Sequence, residues 1–445
     1  MKQTLRVSFL LLAALLISFT SLVINPNQAK AETLDIQAES AILIDAETGK
    51  ILFQKNADLL LPPASMTKMM TEYLVMEAIA EGEISWDTTT LINDYPYWLS
   101  SQTSSSGIGL IQDKAYTVRQ LYEAMGIISD NATTVALAEL IAGSEGAFVE
   151  MMNQKAKEMG LPEYDFVNST GLPNSYLEDY VPAGADPNGD DMLSARSAAL
   201  LAYHLVNDYP EALEISSTLT SELDGRQLEN LNWMLPWEGN NFVQYGYPGV
   251  DGLKTGYTSE AGYCFTGTAE RDGRRLISVV MKTGSQGERF IETKKLLEYG
   301  FSQFTNTELY PTGYQIEDES VLPVAKGKEE QVEIEANNSI FTTIKTGDEA
   351  NYSVKYTMDE TKLNKDGELT APIEKGEKVG TMELVYNGDG ESEFLISDQH
   401  TLTVDVITTS GVEKSNWFML TMGAIGNFFS NIFTTVADTV SGWFS

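Results

Sequence analysis

Ser65-Met66-Thr67-Lys68 is the only Ser-x-x-Lys in the 445 residues. A serine hydroxyl is a poor nucleophile, and a deprotonated amine held beside it can activate it. Positions i and i+3 share a helix face, so Lys68 Nζ can reach Ser65 Oγ if the tetrapeptide is helical. An N-capping serine followed by a snorkelling lysine leaves the same pattern, so the tetrapeptide alone decides nothing. Ser129-Asp130-Asn131 is the only Ser-x-Asn in the chain. It falls between two helical patterns, where a loop can present a hydroxyl and an amide to a cleft. It also reads as a helix N-cap, and the two roles are compatible. Lys254-Thr255-Gly256 follows a Gly-rich stretch and precedes a predicted strand. Its lysine and threonine can hold a carboxylate, and Gly256 lets a peptide backbone come close. The charge of Lys254 would also lower the amine pKa of Lys68. Lys-Thr-Gly recurs at Lys282 and at Lys345. The first recurrence ends the next predicted strand and the second lies in a distant β-rich stretch, so order and context select Lys254.

The elements around these residues follow from periodicity. Pro62-Pro63-Ala64 and the apolar run Met66–Ala80, ending at Gly82, predict a turn feeding a buried helix. Ala41–Asp45 and Lys50–Gln54 flank Glu47-Thr48-Gly49 and predict a β-hairpin. Helical patterns run over Val118–Ile127, Ala132–Ala142, Ala147–Met159 and Ser194–Val206. Residues 161–193 are rich in Gly, Pro, Asn and Asp and read as a long loop. Strands return at Tyr263–Ala269 and Arg275–Met281, and a helix over Glu288–Tyr299 closes the region. Strands, then helices, then strands predict an α+β fold, a sheet domain with an all-α insertion, over 32–305. Residues 306–411 alternate strictly between Gly-containing turns and predict a small all-β domain.

The termini carry a different signal. Lys2 and Arg6, the apolar run Phe9–Ile17 and Ala29-Lys30-Ala31 predict a signal peptide over 1–31, hence an exported protein. Over 412–445 the apolar residues from Phe418 to Trp443 recur at spacings of three or four. That favours an interfacial amphipathic helix on a membrane surface. Asn416, Asn427, Ser430 and Asn431 weigh against a true span, and an oligomer or domain contact is the remaining alternative.

Composition narrows the chemistry. The chain has 29 basic and 64 acidic residues, which excludes nucleic acid as a partner. Its two histidines, His204 and His400, lie far apart and outside any supporting motif, so neither a histidine-based triad nor a metal site is expected, and no cofactor is implied. The single cysteine, Cys264, rules out an intramolecular disulfide framework, and its apolar neighbours point to a buried thiol.

The three motifs in this order are the set of the serine acyl-transferases, penicillin-binding proteins and class A β-lactamases. Pro63–Lys68, Asn168-Ser169-Thr170-Gly171-Leu172-Pro173 and Asp251–Thr258 closely resemble the D-alanyl-D-alanine carboxypeptidases, low-molecular-mass penicillin-binding proteins of peptidase family S11. The resemblance implies the penicillin-binding/β-lactamase-like catalytic domain, the second β-rich domain and the C-terminal anchor. It implies a peptidoglycan stem peptide ending in D-Ala-D-Ala as substrate, and β-lactams as covalent inhibitors. It makes Ser65 the acyl-ester nucleophile and Lys68 the general base. Ser129 would relay a proton to the leaving D-alanine, and Asn131 would orient Lys68 and the substrate amide. Lys254 and Thr255 would hold the substrate carboxylate, with Gly256 in the same strand. The backbone N–H groups of Ser65 and Tyr257 would form the oxyanion hole. Arg289 falls where the family often has an arginine near that carboxylate; a surface ion pair is the alternative. Two positions depart from the family pattern. Asp130 stands where a small residue is common, with Ala132 after the motif, and Ser197 stands where an Asp is often seen. A class A β-lactamase is one rival, but Glu163 lies five residues before Asn168, not the four of Glu-x-x-x-Asn. A non-catalytic penicillin sensor or wall-binding module is the other.

Overall fold

The computed structural model describes residues 34–102, 106–388, 393–396 and 402–416. The predicted signal peptide, His400 and the C-terminal apolar stretch from Trp417 lie outside these residues.

The first hairpin forms as expected, with β1 (Ser40–Asp45) and β2 (Ile51–Lys55). The chain then leaves the sheet for a helical excursion and returns with β3 (Val250–Thr258), β4 (Gly262–Arg271) and β5 (Arg274–Thr283). The five strands pair antiparallel in the order β2-β1-β5-β4-β3. The hairpin joins the returning strands by pairing β1 with β5, Ala41 opposite Val280. Lys254-Thr255-Gly256 lies inside β3 rather than ahead of a strand, with Lys254 opposite Thr266. Among the described residues β3 is thereby an edge strand of this sheet.

The excursion contains α1 (Lys68–Ala80), α2 (Asp94–Ser100), α3 (Val118–Ile128), α4 (Asn131–Ala142), α5 (Glu145–Glu158) and α6 (Ala195–Asp208). α1 is apolar nearly all round because it has core on both sides. Met69, Met70 and Leu74 pack toward the sheet and α6, while Val75 and Met76 join the core inside the helical insertion. Asp130, Ser144 and Ser194 cap α4, α5 and α6 through their side-chain oxygens. α7 (Glu288–Gln303) packs on β4 and β5.

The strands after α7 are β6 (Phe304–Tyr310), β7 (Val321–Ala325), β8 (Gln331–Ala336), β9 (Ile340–Lys345), β10 (Tyr352–Met358), β11 (Leu369–Thr370), β12 (Lys378–Tyr386) and β13 (Thr403–Thr408). β6 pairs with β9, and the others form a sheet in the order β10-β12-β13-β8-β7-β11. Two expected boundaries move. The cut at 305/306 falls inside β6, whose pairing with β9 starts at Phe304. The cut at 411/412 also falls inside the β domain, because Val412 bridges Ile373 and Lys328 N donates to Glu413 O. The β domain grips the β1–β2 hairpin. Lys50 Nζ donates to Tyr352 Oη at 2.8 Å, and Leu395 N donates to Gly49 O at 2.8 Å. This grip and β3 are on opposite edges of the five-stranded sheet.

Candidate active site

Ser65 lies in a 3-10 turn, Ala64–Thr67, that runs directly into α1. Two glycines let neighbouring backbone press against this turn. A Cβ on Gly256 would sit 2.4 Å from Pro63 O, and one on Gly171 would sit 1.9 Å from Ala64 O. The turn is therefore wedged between strand β3 and the Asn168–Leu172 loop. Ala64, at φ 48°, is held in the left-handed region beside the nucleophile.

Lys68 is fully buried, and its Nζ lies 3.0 Å from Ser65 Oγ. It also donates to Asn131 Oδ1 at 2.6 Å and to the Thr170 carbonyl at 2.7 Å. Those two oxygens can only accept. They take two N–H groups and leave the third tetrahedral direction of the nitrogen facing Ser65. Burial, and then the charge of Lys254, hold the amine well below the usual lysine range. Asp130, Asp191 and Glu72 pull in the opposite direction. With Lys68 in its neutral form, this geometry would point its lone pair at the serine hydroxyl.

The Thr170 carbonyl is set by its own loop. Asn168 Oδ1 accepts from Thr170 N, Thr170 Oγ1 and Gly171 N, which folds Asn168–Gly171 into a tight turn. Glu145 Oε1 accepts from Ser169 N and Ser169 Oγ, and Thr71 Oγ1 of α1 donates to Ser169 O. The carbonyl of Thr170 has no signature in sequence, because every residue has one.

Ser129 ends α3 in the left-handed conformation, φ 62° and ψ 36°. It is 2% exposed, and its Oγ has no hydrogen-bond partner among the described residues. Asp130 explains its own departure from the family pattern. Besides capping α4 through Thr133 N, its Oδ2 accepts from Ile108 N at 2.9 Å, tying the Ser106–Ile108 segment to the motif.

Lys254 and Thr255 are buried in β3 beside the turn, and Tyr257 is exposed and stacked on Tyr263. Burial brings Lys254 down to about 8, with Arg289 acting in the same sense and Glu72 opposing. Glu72 lies one turn beyond Lys68 on α1 and is buried, which pushes its carboxyl up to about 7 against the pull of Lys254 and Lys68. Sequence reading missed it, although its i+4 spacing from Lys68 inside an apolar run was the available signal.

Arg289 is not a surface ion pair. It is 3% exposed, and its Nη1 donates to Gly256 O at 3.2 Å and Cys264 O at 3.4 Å. It braces β3 and β4 from the α7 side, with its guanidinium 4.8 Å from the Phe290 ring centre. Cys264 is buried beside it, as expected, with its thiol pushed up to about 11 by burial. The structure brings Ser65, Lys68, Asn131 and Thr170 into direct contact. Ser129 and Lys254 have no hydrogen bond to that group among the described residues.

The D-alanyl-D-alanine carboxypeptidase family model matches residues 26–285, and the penicillin-binding protein 5 C-terminal domain matches 304–414. This chain belongs to the D-alanyl-D-alanine carboxypeptidase family. The D-alanyl-D-alanine carboxypeptidase DacF of Bacillus subtilis strain 168 is 34% identical over 385 residues, covering 86% of this chain and 90% of that protein. The crystal structure of penicillin binding protein 5 from Haemophilus influenzae is 30% identical, with a TM-score of 0.66, covering 85% of this chain and 98% of that one. Penicillin-binding protein D2 of Listeria monocytogenes in its cefotaxime-bound form is 34% identical, with a TM-score of 0.52, covering 60% of this chain and 99% of that one. The family is one of serine peptidases. Its catalytic domain followed by a β domain is the architecture described above.

Proposed function

We propose that the chain is a serine-type D-Ala-D-Ala carboxypeptidase that trims the terminal D-alanine from peptidoglycan stem peptides, with Ser65 as nucleophile. The observation that carries this reading is the placement of Lys68 Nζ, 3.0 Å from Ser65 Oγ and held by two acceptors. Lys68 takes the Ser65 proton as Oγ attacks the carbonyl of the penultimate D-alanine. The tetrahedral oxyanion is met by the backbone N–H groups of Ser65 and Tyr257. The C–N bond then breaks, the leaving D-alanine amine receives the proton through Ser129, and an acyl-ester remains on Ser65. Water, deprotonated by Lys68 with Ser129, releases the shortened peptide. Lys254 and Thr255 hold the substrate's terminal carboxylate, and Arg289 supports that strand from behind.

β-Lactams acylate the same serine because their strained amide and carboxylate match the dipeptide terminus. The cefotaxime-bound relative supports this. Removing the terminal D-alanine limits the donors for cross-linking, which gives the enzyme a role in cell wall biogenesis and cell shape. The sequence patterns over 1–31 and 412–445 support export and peripheral anchoring on the outer face of the membrane.

The deciding experiment is D-alanine release from diacetyl-Lys-D-Ala-D-Ala by the exported protein and by Ser65→Ala. Release that disappears in the variant is expected. Rapid penicillin hydrolysis without release would identify a β-lactamase, and a stable penicillin adduct without turnover would identify a sensor.

A further inference from the structure

We propose that Asp191 is a positioning residue for the Lys68 amine, fastening the turn that carries Ser65 to the loop that carries the Thr170 carbonyl. The proposal rests on the reading of Ser65 and Lys68 given above.

Asp191 is 2% exposed. Its Oδ2 accepts from Thr67 Oγ1 at 2.9 Å, and Thr67 is the residue immediately before Lys68. Its Oδ1 accepts from Val167 N at 2.6 Å and from Asn168 N at 3.1 Å. Asn168 in turn shapes the turn that aims the Thr170 carbonyl. The two oxygens of one carboxylate therefore hold the two elements whose groups meet in the Lys68–Thr170 hydrogen bond. A carboxylate suits this place because it has two oxygens, both accepting, with lone pairs for all three donors. No lysine or arginine forms an ion pair with it among the described residues. Burial pushes its carboxyl up to about 7, and Glu145 adds to the rise.

The fastening acts on chemistry rather than on substrate binding. Lys68 uses the Thr170 carbonyl and Asn131 to fix where its lone pair points. If the loop drifts from the turn, the amine keeps its burial and loses its aim. A displacement of about 1 Å costs on the order of 10²-fold in rate. The loop has a second anchor, since Glu145 holds Ser169 from α5. Loss of Asp191 is therefore expected to loosen the loop and leave the fold standing. The charged groups that feel Asp191 are Lys68 on α1 and Glu145 on α5.

The test uses the exported protein, diacetyl-Lys-D-Ala-D-Ala, and the variants Asp191→Ala and Asp191→Asn. Asp191→Ala is expected to lower kcat by roughly 10- to 100-fold, with KM within about threefold and penicillin acylation slowed in parallel. Asp191→Asn keeps an oxygen for the Val167 and Asn168 N–H groups and is expected to restore most of kcat. Because it removes an anion that supports the Lys68 ammonium, it should also move the acid limb of the pH profile to lower pH. A folded Asp191→Ala protein with unchanged kcat, or a loss carried by KM, overturns the proposal. If Asp191→Ala does not fold, Thr67→Val cuts only the bond between the two elements, and wild-type kcat in that variant overturns it. Release that is absent in the wild type, or that survives Ser65→Ala, overturns the reading of the site itself and this proposal with it.

Discussion

Asn131 Oδ1 accepts a hydrogen bond from Lys68 Nζ at 2.6 Å. The pair joins α1 to the first residue of α4, two elements far apart in sequence and packed together in the helical insertion. An amide oxygen does here what a carboxylate cannot. It orients the amine without stabilising its ammonium form by a full charge.

Asn131→Ala removes that acceptor. The helix cap belongs to Asp130, so α4 and the fold should survive. The expected result is a fall in kcat of about 10²-fold, within the range of general acid–base effects, with a matching fall in penicillin acylation. Steady-state kinetics and thermal unfolding together check it. A large drop in melting temperature would assign the residue to stability instead.

The pH profile of kcat/KM should be bell-shaped, with its limbs assigned to two lysines. Lys68 must be neutral to accept the Ser65 proton, so activity is lost as pH falls through its depressed value. Lys254 must be charged to hold a carboxylate, so activity is lost as pH rises through about 8. Glu72 supports the charged form of Lys254. Glu72→Gln should therefore move the alkaline limb to lower pH and raise KM more than it lowers kcat. An unmoved alkaline limb would show that Lys254 does not depend on Glu72.

The glycines at the nucleophile turn give a steric test. Gly171 combines φ +79° with a backbone carbonyl 1.9 Å from where a Cβ would stand. Gly171→Ala must push the Asn168–Leu172 loop away from Ala64. It should cost roughly 1–3 kcal/mol of stability, as overpacked sites do, and abolish rapid acylation of Ser65. Gly184→Ala is the control: it shares the positive φ, with nothing within 4 Å of the added carbon. Calorimetry and labelled-penicillin binding on both variants separate close approach from backbone strain.

Much of this site was legible because its chemistry needs side chains at fixed spacings. Ser65 and Lys68 sit one helical turn apart, and Ser129 and Asn131 fall in the break between two helical patterns. The β1–β2 hairpin and the main helices were legible from periodicity. What sequence could not carry is long-range pairing and backbone chemistry. The contact of β1 with β5 has no local signal. The Thr170 carbonyl is chemically like any other and matters only through where Asn168 turns it. Asp191 sits in a loop rich in acidic residues and differs from its neighbours only by being buried. The cut at 305/306 failed because β6 continues straight out of α7, with no turn residues to mark the boundary.

The grip between the two domains should be separable from catalysis. Lys50 is buried against Tyr352 and Phe394, and burial lowers its pKa to about 8. Its partner hydroxyl, Tyr352 Oη, lies 2.8 Å away. Tyr352→Phe leaves the amine without that acceptor and should cost about 1–3 kcal/mol, with kcat unchanged, because β2 and β3 are opposite sheet edges. The pH dependence has a defined sign. Above about 8 the folded protein binds fewer protons at Lys50 than the unfolded chain does, so stability rises as pH goes from about 8 toward the ordinary lysine range. Lys254, lowered to about 8, contributes in the same sense. Lys50→Met removes the Lys50 contribution and leaves those of the other lowered lysines. The slope of melting temperature against pH between about 8 and 10 should therefore be shallower in Lys50→Met than in the wild type. An identical slope would mean that Lys50 keeps its proton in the folded protein and that the two domains are held by a charged lysine.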